Sequence, residues 1–154
     1  MSIQLINQYY NKREKLIQYG GSKNELSVRD AFKDLLNHYA EKKNLLLVPE
    51  IAVLGTKGLK VKPDGTLKNA LRLDYGYWES KDEKDTIDDE INAKIKKGYP
   101  LTNILFEDGS TAILIQHGDT VDRIDMFDRE KLNAILNKFL SYEPEDVTNF
   151  NDAL

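Results

Sequence analysis

Residues 62–82 read KPDGTLKNALRLDYGYWESKD, and two short groups inside this stretch decide how the chain is interpreted. The first group is Pro63-Asp64-Gly65, whose composition is also typical of a plain turn. The second is Glu79-Ser80-Lys81, which closes a segment rich in Leu, Tyr and Trp that predicts a strand from about residue 71 to residue 81. Two carboxylates and one ammonium brought together in this way would surround a single cation or phosphate group.

The acid-x-Lys spacing is a weak signal by itself. The 26 acidic residues and 17 lysines would produce about three such matches by chance, and three are present. Glu41-Lys42-Lys43 and Asp82-Glu83-Lys84 lie in charged sequence typical of a solvated surface. Glu79 and Lys81 differ because they close an apolar strand, where a charge is disfavoured unless it is paired or binds a ligand. They are therefore the candidate residues, with a strand-end ion pair as the alternative interpretation.

The partner carboxylate follows from strand geometry. Side chains alternate between the two faces of a strand, so Glu79 and Lys81 share one face whereas Asp74 points to the other. Asp64 lies 15 residues before Glu79, a separation that allows a hairpin to return one carboxylate beside the other. Asp64 is therefore the preferred partner. A bulge at Gly76 would reverse the alternation and bring Asp74 onto the face of Glu79, so Asp74 stays the alternative.

Two carboxylates on adjacent strands suit a hard cation such as Mg²⁺, which prefers carboxylates, water and substrate phosphate, and Mn²⁺ can substitute. Asp64 and Glu79 are the expected metal ligands. Such an ion would stabilise charge on phosphoryl oxygens and acidify a bound water molecule. Lys81 would orient or deprotonate the nucleophile during attack on a phosphodiester.

The composition limits the class of protein. At 154 residues the chain is expected to form one ordinary domain, and no apolar run approaches the length that crosses a bilayer. The polar, charged beginning predicts a cytoplasmic protein without a signal peptide. The absence of cysteine excludes disulfides and thiolate metal sites. The net charge of −4 argues against strong independent binding to a polyanion, so something else would have to deliver a nucleic-acid substrate.

The order of the predicted elements is that of an α/β protein. Helical spacing and turn residues predict helices over about 3–18, 22–43, 83–97 and 128–141. Strands are predicted over about 45–54, from 59 onward, and over 71–81, 102–106, 111–117 and 120–125. Residues 1–142 are expected to form the domain and residues 143–154 a linker or tail.

Three strings carry a family resemblance: PDGTLKN, GYWESKDEKDTIDDEI and KGYPLTNILFEDGSTAILIQHG. They resemble the amino-terminal nuclease domain of single-polypeptide restriction-modification enzymes, the type ISP and related type IIG proteins, over about residues 22–142. The resemblance implies a restriction-endonuclease-like, Mrr-like PD-(D/E)xK fold with an α-β-β-β-α-β core, a central mixed sheet and flanking helices. By this resemblance Asp64, Glu79 and Lys81 take the metal and catalytic roles. Glu25 matches an acidic residue that helps hold metal or water, although with Ser22 it also forms a capping box.

The same resemblance implies a metal-dependent endonuclease acting on double-stranded DNA. The helicase-like motor, methyltransferase and target-recognition regions of those enzymes would lie outside this sequence, which has no phosphate-binding loop motif. A double-strand break would require a transient dimer on DNA. The alternative function is a non-catalytic docking or DNA-binding module that retains the nuclease fold. Weaker candidates for contact with substrate are Gln116, Lys94 and Lys97, and the lysines also complement the helix dipole.

Overall fold

The computed structural model describes residues 2–20, 25–81 and 86–144. Four helices and eight strands follow one another along these described residues. They are α1 (Ser2–Gly20), α2 (Glu25–Glu41), β1 (Leu46–Pro49), β2 (Val53–Leu54), β3 (Lys60–Val61), β4 (Gly65–Lys68), β5 (Asp74–Ser80), α3 (Ile87–Lys97), β6 (Asn103–Glu107), β7 (Thr111–Gln116), β8 (Asp119–Asp125) and α4 (Arg129–Phe139).

Six of the strands form one sheet in the order β1-β4-β5-β6-β7-β8, and β2 with β3 forms a separate hairpin. The pairing of β5 with β6 is parallel, whereas β1–β4, β4–β5, β6–β7 and β7–β8 are antiparallel. The parallel pair is joined through α3, as parallel strands need a crossover connection. The expected fold class, a mixed sheet flanked by helices, is confirmed.

The sheet has a hydrophobic cluster on each face. On one face α1, α2 and α4 pack against strand residues that include Leu67, Trp78 and Leu114. On the other face α3 and the β2–β3 hairpin pack against Tyr77, Ile104 and their neighbours. Strand β5 contributes to both clusters because its side chains alternate, and Glu79 belongs to the side of Tyr77 that faces α3.

Strand β5 contains the irregularity that its sequence suggested. Leu67 pairs with Gly76 whereas Lys68 pairs with Asp74, so Tyr75 is an extra residue opposite one step of β4. A Cβ atom at Gly76 would come within 2.8 Å of Asn103 Nδ2 and 2.9 Å of the Phe139 ring. A β-bulge therefore lies at Tyr75 and Gly76, where only glycine leaves room for neighbouring groups.

Two predicted strands are divided in the structure. The chain expected to be extended over 45–54 is broken after Pro49 by Glu50, which has a φ of 49°. The strand expected from residue 59 is interrupted before Asp64, because Pro63 has no N–H to contribute to a ladder. Helix α3 begins at Ile87 with Thr86 as its N-cap. The predicted residues 83–85 of this helix and Ser22 of the capping box lie outside the described residues.

Among the described residues, no helix has both the length and the apolar character that a bilayer crossing requires. The expected boundary at residue 142 is followed by two further described residues, and residues 145–154 of the expected tail lie outside the description.

Candidate active site

Asp64 and Glu79 meet where β4 begins and β5 ends. The antiparallel register places Gly65 opposite Trp78, so the residue before β4 lies beside the end of β5. The backbone N–H of Asp64 donates to Glu79 Oε1 at 2.9 Å, and the backbone N–H of Ser80 donates to Asp64 Oδ2 at 2.8 Å. Each carboxylate is thus held by the other strand's backbone, which fixes the orientation of both.

The second oxygen of Glu79 contacts Lys94, which reaches it from α3. Lys94 Nζ lies 3.3 Å from Glu79 Oε2 and 3.5 Å from Glu90 Oε1. The ammonium also donates to Tyr99 Oη at 3.3 Å and lies 4.8 Å from the centre of the Tyr99 ring. Tyr99 in turn donates to the carbonyl oxygen of Lys62 at 3.3 Å. Helix α3 therefore supplies the positive charge next to Glu79.

Asp64 has a second cation beside it, on the opposite face of the sheet. Arg29 Nη1 of α2 lies 3.8 Å from Asp64 Oδ1, beyond hydrogen-bonding distance but close enough for electrostatic attraction. Asp64 therefore lies between a guanidinium from α2 and the Glu79–Lys94 pair below α3.

Burial and mutual repulsion make both carboxyl groups easier to protonate. Burial raises the pKa of Glu79 to about 7, and the charge of Asp64 adds to this increase against the opposing effects of Lys94 and the Asp64 amide. Burial also raises the pKa of Asp64, while the Ser80 amide and Arg29 act in the other direction. For Lys94, burial alone would lower the pKa, but Glu79, Tyr99 and Glu90 raise it above its ordinary value. Paired carboxylates with raised pKa values are typical of sites that bind a cation or exchange a proton.

The donor set fits a magnesium-like ion. Asp64, just before β4, and Glu79, in β5, offer carboxylate oxygens, and no group of three or more acidic or histidine side chains that could hold a metal occurs among the described residues. Mg²⁺ commonly uses one or two carboxylates and takes its other ligands from water and substrate phosphate. Two neighbouring carboxylates match the number that such an ion commonly takes from a protein, although both oxygens of Glu79 contact protein donors in this structure.

Lys81 lies immediately after β5, two residues beyond Glu79. Its backbone N–H donates to the carbonyl oxygen of Glu107 at 2.8 Å, so the pairing with β6 continues through this residue and its side chain lies half-buried. This backbone position is compatible with the predicted shared face of Lys81 and Glu79. Glu25 is the first residue of α2, and its side chain lies outside the described part of the chain.

Asp74 does not join Glu79, although the bulge that could have brought it there is present. The bulge places Asp74 on the side of Tyr77, whose hydroxyl donates to Asp74 Oδ2 at 3.2 Å, and Asp74 also pairs with Lys68. However, Asp74 begins β5 and Glu79 lies five residues later, about 16 Å along an extended strand. The bulge therefore places Asp74 on the same face as Glu79 but leaves the two carboxylates too far apart along β5 to form one site.

The weaker candidates separate into different regions. Gln116 Nε2 donates to Asn103 Oδ1 at 3.0 Å and to the Lys138 carbonyl at 3.2 Å. Because Asn103 begins β6 whereas Glu79 pairs with Phe106, Gln116 lies away from the carboxylates and the structure does not support its contact with substrate there. Lys97 is exposed at the end of α3. Lys94 lies at the site, where its ammonium group contacts Glu79 and not a position left open for substrate.

Two site residues were missed by sequence reasoning. Arg29 and Tyr99 approach the carboxylates only through the packing of α2 and of the segment after α3. The GYP string after α3 marks Tyr99 as unusual, and the Glu90–Lys94 spacing of four residues indicates a shared helix face. No sequence signal distinguishes Arg29 from the other charges of α2.

The chain resembles a protein whose structure has been solved. No protein-family model matches the chain, and no curated protein matches it. Among solved structures, a chain from the cryo-electron microscopy structure of a DrdV–DNA complex superposes with a TM-score of 0.91 at 46% sequence identity. The match covers 98% of the present chain and 15% of the DrdV chain. The chain is therefore similar over nearly its whole length to a small part of a much longer protein.

Proposed function

We propose that this chain is a metal-dependent DNA endonuclease domain of the PD-(D/E)xK, Mrr-like type, belonging to a single-polypeptide restriction-modification enzyme. The observation that carries the proposal is the meeting of Asp64 and Glu79 where β4 begins and β5 ends, with the Asp64 N–H donating to Glu79 and the Ser80 N–H donating to Asp64. A buried carboxylate pair of this kind is costly unless a cation compensates it.

Each residue has a distinct task in this proposal. Asp64 and Glu79 would hold a Mg²⁺ or Mn²⁺ ion, which would supply Lewis-acid stabilisation of the phosphoryl oxygens and lower the pKa of water. Lys81 orients the attacking water or removes its proton, since it follows Glu79 at the end of β5. The backbone hydrogen bonds from Asp64 and Ser80 keep the carboxylates oriented before substrate arrives, which lowers the reorganisation needed during the reaction.

Duplex DNA is the proposed substrate. The DrdV chain that resembles this one was solved in a complex with DNA, which supports DNA as the partner here. Since the present chain spans 15% of that chain's length, the motor, methyltransferase and target-recognition regions implied by the sequence resemblance are proposed to lie in a longer polypeptide. One such site cuts one strand, so a double-strand break requires two copies meeting on DNA.

The proposal is tested by nicking of supercoiled plasmid in Mg²⁺ or Mn²⁺, together with calorimetric titration of Mn²⁺ into the protein. Asp64→Asn, Glu79→Gln and Lys81→Ala should each reduce nicking by at least about 100-fold, because each removes a group that contacts the reacting atoms. The first two variants should also lose Mn²⁺ binding, whereas Lys81→Ala should keep it.

Asp74→Asn provides the matched control, since Asp74 lies on the same strand but apart from the site. It should nick and bind Mn²⁺ as the unchanged protein does. Equal Mn²⁺ binding by the unchanged protein and Glu79→Gln would disprove the assigned metal site, whether or not the chain cuts DNA without its neighbouring regions.

The second candidate function is a non-catalytic DNA-binding or docking module. The Lys94–Glu79 contact at 3.3 Å favours it, because an ammonium from α3 already compensates the buried carboxylate as an ion-pair lock would. This function predicts no Mn²⁺ binding. Calorimetric titration of Mn²⁺ therefore separates the two candidates.

A further inference from the structure

Two segments of this acidic chain are strongly basic. Residues 53–62, VLGTKGLKVK, and residues 91–99, INAKIKKGY, contain six lysines and no acidic residue. These segments therefore carry six positive charges and no negative charge, whereas the chain as a whole carries a net charge of −4.

The fold joins these two segments into one surface. The hairpin β2–β3 docks on the end of α3, where the Thr56 N–H donates to the Gly98 carbonyl at 2.8 Å and Lys57 Nζ donates to the Lys96 carbonyl. Five exposed lysines lie along this junction, and we call them the lysine edge. They are Lys57, Lys60, Lys62, Lys96 and Lys97.

The lysine edge borders the carboxylate pair. Lys62 lies two residues before Asp64, and its carbonyl oxygen accepts a hydrogen bond from Tyr99. Lys97 lies one helical turn beyond Lys94, which contacts Glu79. The edge therefore begins at the site and extends outward along the hairpin and α3.

The lysines of this edge have no acidic partner among the described residues, which is also true of Lys15, Lys42 and Lys43. Lys12, Lys68 and Lys138 each pair with an aspartate. What distinguishes the edge is that its five ammonium groups lie together beside the carboxylate pair. Unpaired ammonium groups on one surface create a positive potential that attracts a polyanion, even on a protein of opposite net charge.

The outer face of the hairpin also carries apolar side chains that nothing described covers. Val53 and Val61 face inward and are buried, whereas Leu54 and Leu59 are each 70% exposed. Clustered exposed apolar side chains next to unpaired cations indicate a surface that contacts a partner.

We propose that the lysine edge binds the phosphate backbone of duplex DNA and holds the duplex against Asp64 and Glu79. This inference rests on the proposed function and names the surface through which substrate is held. Sequence-independent contacts of this type release condensed counterions, so their contribution weakens as salt rises. The edge positions the duplex and reads no bases, which leaves sequence recognition to other regions.

The test is fluorescence anisotropy with a labelled 30-bp duplex in EDTA, over a range of NaCl concentrations. The variant Lys60→Gln/Lys62→Gln/Lys97→Gln removes three ammonium groups that pair with no described residue. It should weaken binding about tenfold at low salt and reduce the slope of log K against log salt by about 2 to 3, since each phosphate contact contributes about 0.9.

The matched control is Lys12→Gln/Lys15→Gln/Lys131→Gln, which makes the same change in net charge on α1 and α4, across the sheet. It should change affinity by less than about twofold. Equal weakening by both triple variants, no weakening by the first, or tighter binding of single strands than of duplex would overturn the inference. If the first variant unfolds at a lower temperature, Lys96→Gln/Lys97→Gln on α3 tests the same surface without altering the hairpin.

Binding in EDTA involves no metal, so this result is separable from the nuclease assignment. A lysine edge that binds duplex in a protein unable to bind Mn²⁺ would refute the catalytic proposal and leave the surface assignment intact. Normal Mn²⁺ binding, together with duplex affinity that is unchanged when the edge lysines are substituted, would refute the surface assignment and leave the catalytic proposal intact.

Discussion

Glu79 is buried, with 4% of its surface exposed, and is bound by a backbone amide and an ammonium. Its pKa of about 7 lies above the ordinary value of 4.5, so the folded protein retains a proton that the unfolded chain has already lost. The free energy of unfolding should therefore fall as pH rises from about 4.5 to about 7 and then level off. Glu107, whose burial likewise raises its pKa to about 7, acts in the same direction.

The prediction for Glu79→Gln concerns this pH dependence. The loss of unfolding free energy between pH 5 and pH 8, measured by urea denaturation in EDTA, should shrink by about 2 kcal/mol relative to the unchanged protein. Glu107→Gln should reduce it by a similar amount, because both glutamates titrate in one window. An unaltered slope in Glu79→Gln would mean that Glu79 is already ionised at pH 5 in the folded protein.

Lys94 should stabilise the metal-free protein through Glu79. Lys94→Met is expected to cost about 2 kcal/mol at pH 8, because it leaves a buried carboxylate without its counter-charge. In a Glu79→Gln background the same substitution should cost at least about 1 kcal/mol less. Lys97→Met, on the exposed side of the same helix end, should stay within about 0.5 kcal/mol. Additive costs in the double variant would show that Lys94 acts through other contacts.

The sequence predicted the Asp64–Glu79 pair and named Lys94 as a possible substrate contact, but it predicted neither the pairing of Lys94 with Glu79 nor the approach of Arg29 to Asp64. The pair is local, because a hairpin returns β4 beside β5 and the spacing can be read from the chain. Lys94 and Arg29 come from helices on opposite faces, and their approach depends on tertiary packing that spacing does not encode. The role of Lys81 stays a prediction, supported by its place after β5.

At the scale of elements, the β2–β3 hairpin depends on one close approach to α3. A Cβ atom at Gly55 would lie 2.6 Å from the Gly98 carbonyl oxygen and 2.8 Å from that of Leu59, both of them backbone atoms. Gly55→Ala should therefore separate the hairpin from α3 and destabilise the protein by about 2 to 3 kcal/mol. Amide hydrogen exchange at Thr56, which donates to Gly98, should accelerate.

Gly58 provides the comparison within the same turn. A Cβ atom there meets nothing within 4 Å, although its φ of +79° is unfavourable for other residues. Gly58→Ala should therefore cost about 1 kcal/mol and leave Thr56 exchange nearly unchanged. Equal exchange at Thr56 in both variants would contradict the role given to the close approach.

Elements with a clear hydrophobic period were predicted from sequence, whereas neighbouring short strands were predicted as single longer strands. The helices and β5 to β8 follow patterns several residues long. The region from 45 to 68 contains four short strands divided by Glu50 and Pro63, and its apolar residues were merged into two strands. The bulge at Tyr75 could be anticipated from Gly76. Whether the bulge would bring Asp74 to Glu79 depended on the distance between these two residues along β5, which keeps them apart.

At the scale of the whole molecule, metal binding should appear as increased stability. With 10 mM Mg²⁺ or 1 mM Mn²⁺ at pH 8, the Tm should rise by about 2 to 4 °C, because an ion that binds the folded state alone stabilises it. The rise should be smaller at pH 6, where protons compete for Glu79. Glu79→Gln should show no rise, whereas Asp74→Asn should behave as the unchanged protein; a rise in Glu79→Gln would place the ion elsewhere.

The parallel pairing of β5 with β6 also bears on the order of folding. The β4–β5 hairpin closes over a short stretch of chain, whereas β6 joins β5 only after α3 has crossed the sheet, and such non-local pairing is the slower event. Asp64 and Glu79 would then lie side by side before α3 packs and brings Lys94 to Glu79, so the two carboxylates would repel each other during folding. Refolding followed by stopped-flow fluorescence should accordingly be faster at pH 6 than at pH 8, and Glu79→Gln should remove that difference.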